Sequence, residues 1–179
     1  MPRNIELKAR LASLEAARVV AARIATQQLG RMRQVDTYFA CARGRLKLRE
    51  IESDGSTSAE LIWYERPDRA GPKTSDYRRA QVADPAELKV ALTSALGLRT
   101  VVDKRREVYL WDNVRIHLDQ VERLGTFLEF EAVVNRRDEQ EAADGQLSWL
   151  REQFSLAEAD LVTGSYADLV VGRLSRAVK

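Results

Sequence analysis

Hydrophobic and charged residues alternate along several short stretches of this chain. In "GRLKLRE", Arg45, Lys47 and Arg49 occupy every second position, and Leu46 and Leu48 lie between them. A two-residue period is typical of a β-strand, because successive side chains of a strand point to opposite faces. "NIELKARL" near the start of the chain alternates in the same way. The pattern therefore predicts strands that have one apolar face and one charged face.

Further strands are predicted at regular intervals. "VDTYFACARGRLKLREIE" predicts a strand, a turn near Gly44 and the cationic strand, and the Asp-Gly pair of "DGSTSA" predicts a hairpin turn. "ELIWYERPD" predicts the next strand, and "RAGPKTSDYRRA" predicts a loop that becomes a strand near Tyr77. "RTVVDKRREVYLW", "NVRIHLDQV" and "FLEFEAVV" predict three more. The expectation is one α+β domain over residues 1–179 with about eight strands.

Helical spacing interrupts this alternation in a few places. "ASLEAARVVAARIATQQLG" predicts a helix that ends at Gly30. "DPAELKVALTSALG" predicts a helix with Asp84 as its N-cap and Gly97 after its last turn. "DEQEAADGQLSWLREQF" predicts a third helix, and Ser155 with Glu158 predicts a capping box for a last helical segment.

The charged face has two structural interpretations. An antiparallel sheet with one solvated side gives the same alternation. A closed barrel would instead place the charged side chains inside and the apolar side chains under helices. The charged positions are mostly Arg, Lys, Asp and Glu rather than a mixture with Ser, Thr and Gln. Arginine suits planar recognition of oxyanions, which favours a functional face.

Charge counting indicates which ligand an enclosed face would bind. The face holds eight cations, Lys8, Arg45, Lys47, Arg49, Arg66, Lys104, Arg106 and Arg115, and four anions, Glu6, Asp119, Glu129 and Glu131. A nucleoside triphosphate carries about four negative charges, which would balance this excess. Carboxylates near phosphates require a divalent cation between them, and an all-oxygen site suits Mg²⁺ or Mn²⁺. The alternative is that these acids pair with the arginines.

Composition excludes several other classes of function. The chain has 29 Lys and Arg against 27 Asp and Glu, so its net charge of +2 predicts no general attraction to nucleic acid or to a membrane. Cys41 is the only cysteine, which excludes an intramolecular disulfide and a thiolate metal cluster. The sequence contains neither a long apolar run nor a signal-peptide core. We therefore expect a cytoplasmic protein.

Several motifs in order along the chain resemble the CYTH family. They are "NIELKARL", "DTYF…GRLKLRE", "LIWYERPD…GPKTSDY", "VDKRREVYLW", "VRIHLDQVERLGTFLEFE" and "GSYADL". This family groups class IV adenylyl cyclases with thiamine triphosphatases, within the triphosphate tunnel metalloenzymes. The resemblance implies a single CYTH domain with its core at about residues 2–170. It also implies an eight-stranded antiparallel closed barrel, flanked by helices, that holds a divalent metal and a triphosphate.

The resemblance also implies roles for individual residues. The family signature would place acids at positions 4 and 6 and a lysine at position 8; Glu6 and Lys8 agree, whereas Asn4 departs from it. Tyr166 is expected near one tunnel mouth. The implied catalytic residues are Glu6, Lys8, Lys104 and Arg106, and the implied metal ligands are Glu6, Asp119, Glu129 and Glu131. The implied phosphate-binding residues are Lys8, Arg45, Lys47, Arg49, Arg66, Lys73, Lys104, Arg106 and Arg115.

Three functional hypotheses follow from the sequence. The first is a class IV adenylyl cyclase that converts ATP to cyclic AMP and pyrophosphate with Mg²⁺ or Mn²⁺. The second is a triphosphatase acting on tripolyphosphate or thiamine triphosphate. The third is a module that binds a nucleotide or polyphosphate without turnover, which the neutral Asn4 favours. Family analogy allows a homodimer, and His117, the lone histidine, is expected to have a packing or hydrogen-bonding role.

Overall fold

The structure, a computed structural model, describes residues 3–68, 71–134 and 139–177. Eight antiparallel strands form a closed barrel in the order β1-β5-β4-β3-β2-β6-β7-β8, and β8 pairs back with β1. The strands are β1 (Arg3–Arg10), β2 (Gln27–Phe39), β3 (Arg45–Ser53), β4 (Ser56–Glu65), β5 (Lys73–Gln81), β6 (Leu98–Trp111), β7 (Val114–Val121) and β8 (Gly125–Val134). The helices are α1 (Leu14–Ile24), α2 (Pro85–Leu96), α3 (Gln140–Gln153) and α4 (Tyr166–Ala177), with a 3₁₀ turn at Glu158–Asp160. The predicted α+β closed barrel is therefore confirmed.

The apolar face of the barrel is its outside, where helices cover it. Ile5 and Leu7 of β1 are almost fully buried, and they belong to a core that includes Ala21 of α1 and Leu147 of α3. Burying such aliphatic side chains stabilises the fold by about 1.5–3 kcal/mol each. Because side chains alternate, the charged residues between them must point into the barrel.

One predicted turn and one predicted helix cap form as the sequence indicates. Asp54 and Gly55 both have positive φ angles, 48° and 76°, as the two central residues of a tight hairpin require. Asp84 caps α2, because its carboxylate accepts a hydrogen bond from the backbone N–H of Glu87 at 3.1 Å.

The predicted helix end at Gly30 is wrong. Helix α1 ends at Ile24, and Gly30 lies inside β2 at a register shift against β6, with a φ of 103°. Thr26 already joins the sheet, because its N–H donates to the carbonyl of Leu110 at 2.8 Å. Pairing with the long strand β6 provides hydrogen bonds that local helical spacing does not reveal. Gly30 is therefore a bulge residue rather than a helix stop.

The predicted capping box at Ser155 and Glu158 is also wrong. Ser155 follows α3 with a φ of 50°, and Glu158 instead pairs with Arg151 at 3.0 Å. The box forms ten residues later, at the start of α4. There the Asp168 N–H donates to Ser165 Oγ at 3.2 Å, and the Ser165 N–H donates to Asp168 Oδ2 at 2.9 Å.

The segment before α4 closes one end of the barrel, which we call the closed end. Lys73 Nζ donates to the carbonyls of Val162 and Thr163 at 2.9 and 2.5 Å. The Tyr166 hydroxyl donates to Asp119 at 2.8 Å. The opposite, open end has exposed Arg79 and half-exposed Arg115 on its rim. None of the helices in the described ranges combines the length and hydrophobicity needed to span a bilayer.

Asp168 holds the closed end in place through hydrogen bonds with Ser165 and ion pairs with Arg45 and Arg99. We therefore expect its substitution to lower the free energy of unfolding by an amount that depends on pH. Burial raises the pKa of Asp168, but bonds from Ser165 and the charges of Arg45 and Arg99 outweigh it and lower the pKa to about 2. A lowered pKa adds stability above the unfolded-state pKa, and this stability is lost as pH falls through the folded value. Because the group is partly exposed, we expect Asp168→Asn to cost about 1 kcal/mol at pH 7 and less at pH 3, where the unfolded-state carboxyl is largely protonated.

Urea unfolding at pH 7 and at pH 3 would measure this difference. Asp144→Asn, at an exposed position of α3, is the matched control and should leave the free energy of unfolding unchanged. An Asp168→Asn penalty that is equal at both pH values would show that the carboxylate charge does not hold the closed end.

Candidate active site

The charged faces of the strands line a cavity of about 380 Å³ that runs through the barrel. Ten of the thirteen predicted site residues line it. They are Glu6, Lys8, Lys47, Arg49, Arg66, Lys104, Arg106, Arg115, Glu129 and Glu131. The solvated-sheet interpretation is therefore wrong, because these groups face an enclosed tunnel. Their individual roles stay predictions.

The other three predicted site residues do not line the tunnel. Arg45 donates to Asp68 and Asp168 at 2.6 and 2.9 Å, and Lys73 is fully buried against backbone carbonyls. Asp119 is fully buried, and both of its carboxylate oxygens accept hydrogen bonds from Arg106, at 2.7 and 2.6 Å. All three have their polar groups occupied by partners at or near the closed end, which does not favour phosphate or metal binding.

A cationic cluster surrounds Asp36, a residue that the sequence reasoning missed. Lys47 Nζ donates to Asp36 at 2.7 Å, and Arg49 donates to it at 2.7 and 2.8 Å. Burial raises the pKa of Asp36, but Arg49 and Lys47 outweigh burial and hold the pKa well below its usual range. Asp36 therefore stays ionised and fixes both cations in position.

Two lysines of the tunnel have lowered pKa values, chiefly because they are buried and partly because of neighbouring arginines. Burial, together with Arg49, lowers the pKa of Lys47 to about 8. Burial, together with Arg106, lowers the pKa of Lys104 to about 7, although Asp119, 3.4 Å from Lys104 Nζ, opposes this change. A polyanion would relieve this repulsion, so the region is suited to bind phosphates.

Acidic side chains gather on the opposite wall, on β1 and β8. Glu6 lies directly opposite Glu131, and Lys8 lies opposite Glu129, in the pairing of these strands. Arg66 donates to Glu6 at 2.6 Å, and Lys8 lies 3.2 Å from Glu129. Burial raises the pKa of Glu6; Arg66 opposes this rise, and Glu129 and Glu131 add to it. These acids therefore repel one another unless cations remain among them.

The donor chemistry of this wall fits a hard divalent cation. Asn4 Nδ2 donates to Glu131, whereas Asn4 Oδ1 is buried with no hydrogen-bond partner. This oxygen and the carboxylates of Glu6, Glu129 and Glu131 are all oxygen donors, the type that Mg²⁺ and Mn²⁺ prefer. Among residues 3–68, 71–134 and 139–177, no three acidic, histidine or cysteine side chains converge at ligating distance. Each acid is instead neutralised by a cation such as Arg66, Lys8 or Arg115.

Charged side chains of both signs line the tunnel along its length. On β1, Glu6 lies nearer the open end and Lys8 nearer the closed end, where Lys8 Nζ sits 3.9 Å from the centre of the Tyr166 ring. On β3, Ile51 precedes Arg49 and Lys47 in the same direction. Acids and cations are therefore interleaved along the tunnel: Glu129 lies level with Lys8, and Arg115 lies at the open end beside Glu131.

Further lining residues could have been found from the alternation of "QVDTYF". Gln34, Asp36 and Tyr38 share one face of β2 and all line the tunnel. Only the charged positions stood out in the sequence, so Gln34 and Tyr38 gave no signal of chemistry. His117 also lines the tunnel, 3.7 Å from Glu131, and burial, together with Arg106, holds its pKa well below the usual range.

Solved structures share this fold across the whole chain. PH1819 from Pyrococcus horikoshii OT3 superimposes with a TM-score of 0.82 at 22% identity, covering 95% of this chain and 99% of its own. A proposed adenylate cyclase from Vibrio parahaemolyticus gives a TM-score of 0.75 at 19% identity, covering 94% and 97%. HpAC1 from Hippeastrum, a proposed adenylyl cyclase with a dominant triphosphatase activity, gives 0.64 at 14% identity, covering 98% and 96%.

Sequence comparison identifies the family directly. Curated protein sequences give no significant match. The family model for the CYTH domain matches residues 2–166, which is nearly the whole chain. The tunnel geometry and this match agree, and the chain therefore belongs to the CYTH family.

Proposed function

We propose that the tunnel binds a nucleoside triphosphate and, with a divalent cation, converts ATP to cyclic AMP and pyrophosphate. The observation that carries this proposal is that fixed cations and three carboxylates share one enclosed tunnel. Lys47, Arg49, Lys104 and Arg106 line it on β3 and β6, and Glu6, Glu129 and Glu131 line it on β1 and β8. A triphosphate whose β and γ phosphates reach these cations would bring its α-phosphate to the acids of β1 and β8.

The cationic residues bind and orient the substrate in this proposal. Arg49 and Lys47 are held in place by Asp36, and Arg106 is held by Asp119. Groups that are fixed before the substrate arrives lose little freedom on binding, which favours catalysis by positioning. Phosphoryl chemistry relies mainly on such positioning and on charge neutralisation.

The reaction forms one bond and breaks another at the α-phosphorus. The ribose 3′-oxygen attacks the α-phosphorus and gives its proton to water, and the bond between the α-phosphorus and the bridging oxygen breaks to release pyrophosphate. Lys104, with a pKa of about 7, can hold or give a proton at the pyrophosphate oxygens, and Arg106 neutralises their charge. Glu6, Glu129 and Glu131 would hold Mg²⁺ or Mn²⁺, which would supply a Lewis acid at the reacting phosphate.

Hydrolysis of a triphosphate is the second candidate. The same tunnel would accept tripolyphosphate, and HpAC1, which shares the fold, has a dominant triphosphatase activity. The two reactions differ in the nucleophile and in the phosphorus that it attacks. Separating the products distinguishes them: cyclic AMP with pyrophosphate indicates the cyclase, and orthophosphate indicates the phosphatase.

We expect the purified protein to form cyclic AMP and pyrophosphate from ATP with Mg²⁺ or Mn²⁺, and Glu129→Gln to reduce the rate by about 100-fold or more. Glutamine keeps the size of Glu129 but removes the charge that faces Lys8 and Arg106. Chromatography of the products at several metal concentrations measures both effects.

Glu65→Gln is the matched control, because Glu65 pairs with Arg43 outside the tunnel, and it should keep the full rate. Circular dichroism checks that both variants fold. Formation of orthophosphate without cyclic AMP would contradict the cyclase hypothesis and support the triphosphatase hypothesis. Tight binding of ATP without any product would leave a binding module, and no binding at all would refute the proposal.

Restoring an acid at position 4 should strengthen metal binding. Asn4 contributes no charge to the acidic wall, and its Oδ1 atom has no partner. We expect Asn4→Glu to bind Mn²⁺ about 10-fold more tightly, since the charge of the ligands governs affinity for hard cations. Titration calorimetry with Mn²⁺ measures this, and Asn4→Gln controls for side-chain length. Equal affinity in Asn4→Glu and wild type would exclude position 4 from the metal site.

Phosphate binding should take up protons at pH 8. Lys47 and Lys104 have pKa values of about 8 and about 7, so at pH 8 both are partly or mostly neutral. A bound polyanion favours their charged forms and raises both pKa values, so binding of ATP should take up about one proton or more. Calorimetry of Ca²⁺–ATP binding in buffers of different ionisation enthalpy counts these protons. Lys104→Met should lower the uptake, and an unchanged count would place Lys104 away from the phosphates.

A further inference from the structure

His117 is a buried imidazole that the proposed reaction does not use. It is 3% exposed and lines the tunnel on β7, between Arg115 toward the open end and Asp119 toward the closed end. In the part of the chain that the structure describes, its Nδ1 atom has no hydrogen-bond partner. Buried polar atoms normally have partners, so a buried imidazole beside a tunnel with an unbonded nitrogen indicates a partner on a bound molecule or ion.

The two strands that flank β7 give this imidazole unequal neighbours. The pairing with β8 places Glu129 directly opposite His117, and His117 Nε2 lies 3.7 Å from Glu131 Oε2. That distance is too long for a hydrogen bond. On the other side, β6 places Val108 opposite His117, and an aliphatic side chain provides neither a donor nor an acceptor. The imidazole is therefore next to both glutamates of β8, although the 3.7 Å contact does not hold it there.

Glu131 already has other partners, so it does not require His117 as a counter-ion. Asn4 Nδ2 donates to Glu131, and Arg115 pairs with Glu131 at 3.3 Å. Near pH 7 an imidazole is mostly neutral, so one of its nitrogens has a lone pair instead of a proton. A lone pair and a carboxylate are both acceptors and cannot bond each other. Both can bind the same metal ion, because imidazole nitrogen and carboxylate oxygen occur together in protein metal sites.

We propose that His117 is a nitrogen ligand of the divalent cation that Glu129 and Glu131 hold in the proposed function. This inference rests on that function, because it requires a cation at the glutamates of β8. Cations of the protein now pair with both glutamates, so a metal ion must displace those pairs to be bound. The nitrogen changes the selectivity of the site. Carboxylates suit Mg²⁺, whereas an imidazole adds affinity for later first-row ions such as Ni²⁺ and little for Mg²⁺.

Pulsed electron paramagnetic resonance of bound Mn²⁺ tests the nitrogen ligand directly. His117 is the only histidine of the chain, so in tag-free protein no other imidazole can couple to the ion. We expect electron spin echo modulation from ¹⁴N in the wild type with bound Mn²⁺, and loss of this modulation in His117→Gln and His117→Leu. Glutamine keeps a hydrogen-bonding group at this position. A His117 that served only as a hydrogen-bonding or packing residue would give no ¹⁴N modulation in the wild type.

Metal affinities measured by calorimetry provide a second readout. We expect His117→Leu to weaken Ni²⁺ binding about 10-fold or more and to change Mg²⁺ affinity by less than about twofold. Gln120→Leu makes a similar change at an exposed position of β7 and should alter neither affinity. Circular dichroism checks folding, and His117→Gln replaces His117→Leu if the leucine variant does not fold. Equal losses of Ni²⁺ and Mg²⁺ affinity would show that His117 shapes the wall of the tunnel without binding the ion.

The outcomes separate this inference from the proposed function. Mn²⁺ that binds to the wild type without ¹⁴N modulation would overturn the assignment of His117 and leave Glu129 and Glu131 as the proposed ligands. Failure of the wild type to bind Mn²⁺, both alone and with tripolyphosphate, would overturn this inference together with the metal requirement of the proposed function.

Discussion

Closure of the sheet is the constraint on which the rest of this structure depends. Once β8 pairs with β1, every inward side chain shares one enclosed space, and charges there cannot rely on bulk water. Each inner charge must therefore be neutralised by another group. Asp36 with Arg49, Asp119 with Arg106 and Glu6 with Arg66 are direct results. Lys104 and Lys47 have pKa values lowered to about 7 and about 8, chiefly by the same burial.

The closed end shows how the same charges also build structure. Arg45 and Arg99 hold Asp168, and Lys73 holds the backbone before α4. These contacts use cations that alternate along the strands like the tunnel residues. A barrel that was open at both ends would lack a closed surface against which the phosphates of the proposed substrate could be positioned. The structural cations therefore shape the cavity that the other cations line.

The acids of the tunnel form ion pairs within the protein, and they are also the proposed metal ligands. Glu129 pairs with Lys8 and Arg106, and Glu131 pairs with Arg115, so these carboxylates are neutralised by cations of the protein. In the proposed function, a metal ion would replace the cations that now neutralise the acids, and the phosphates would replace the acids that now neutralise the cations.

The sequence by itself determined the period-two alternation, hence the strands, their charged face and the list of most lining residues, because strand geometry fixes which side chains share a face. It also determined the cap at Asp84 and the turn at Asp54 and Gly55, since these depend on neighbours a few residues away. Only the tertiary structure decided that the charged face is enclosed, that Arg45, Lys73 and Asp119 serve the closed end, and that Gly30 is a bulge residue within β2. Most of those contacts join residues that are more than fifty positions apart in the sequence. Arg45 contacts Asp168, and β2 pairs with β6. Local sequence patterns contain no information about such pairing.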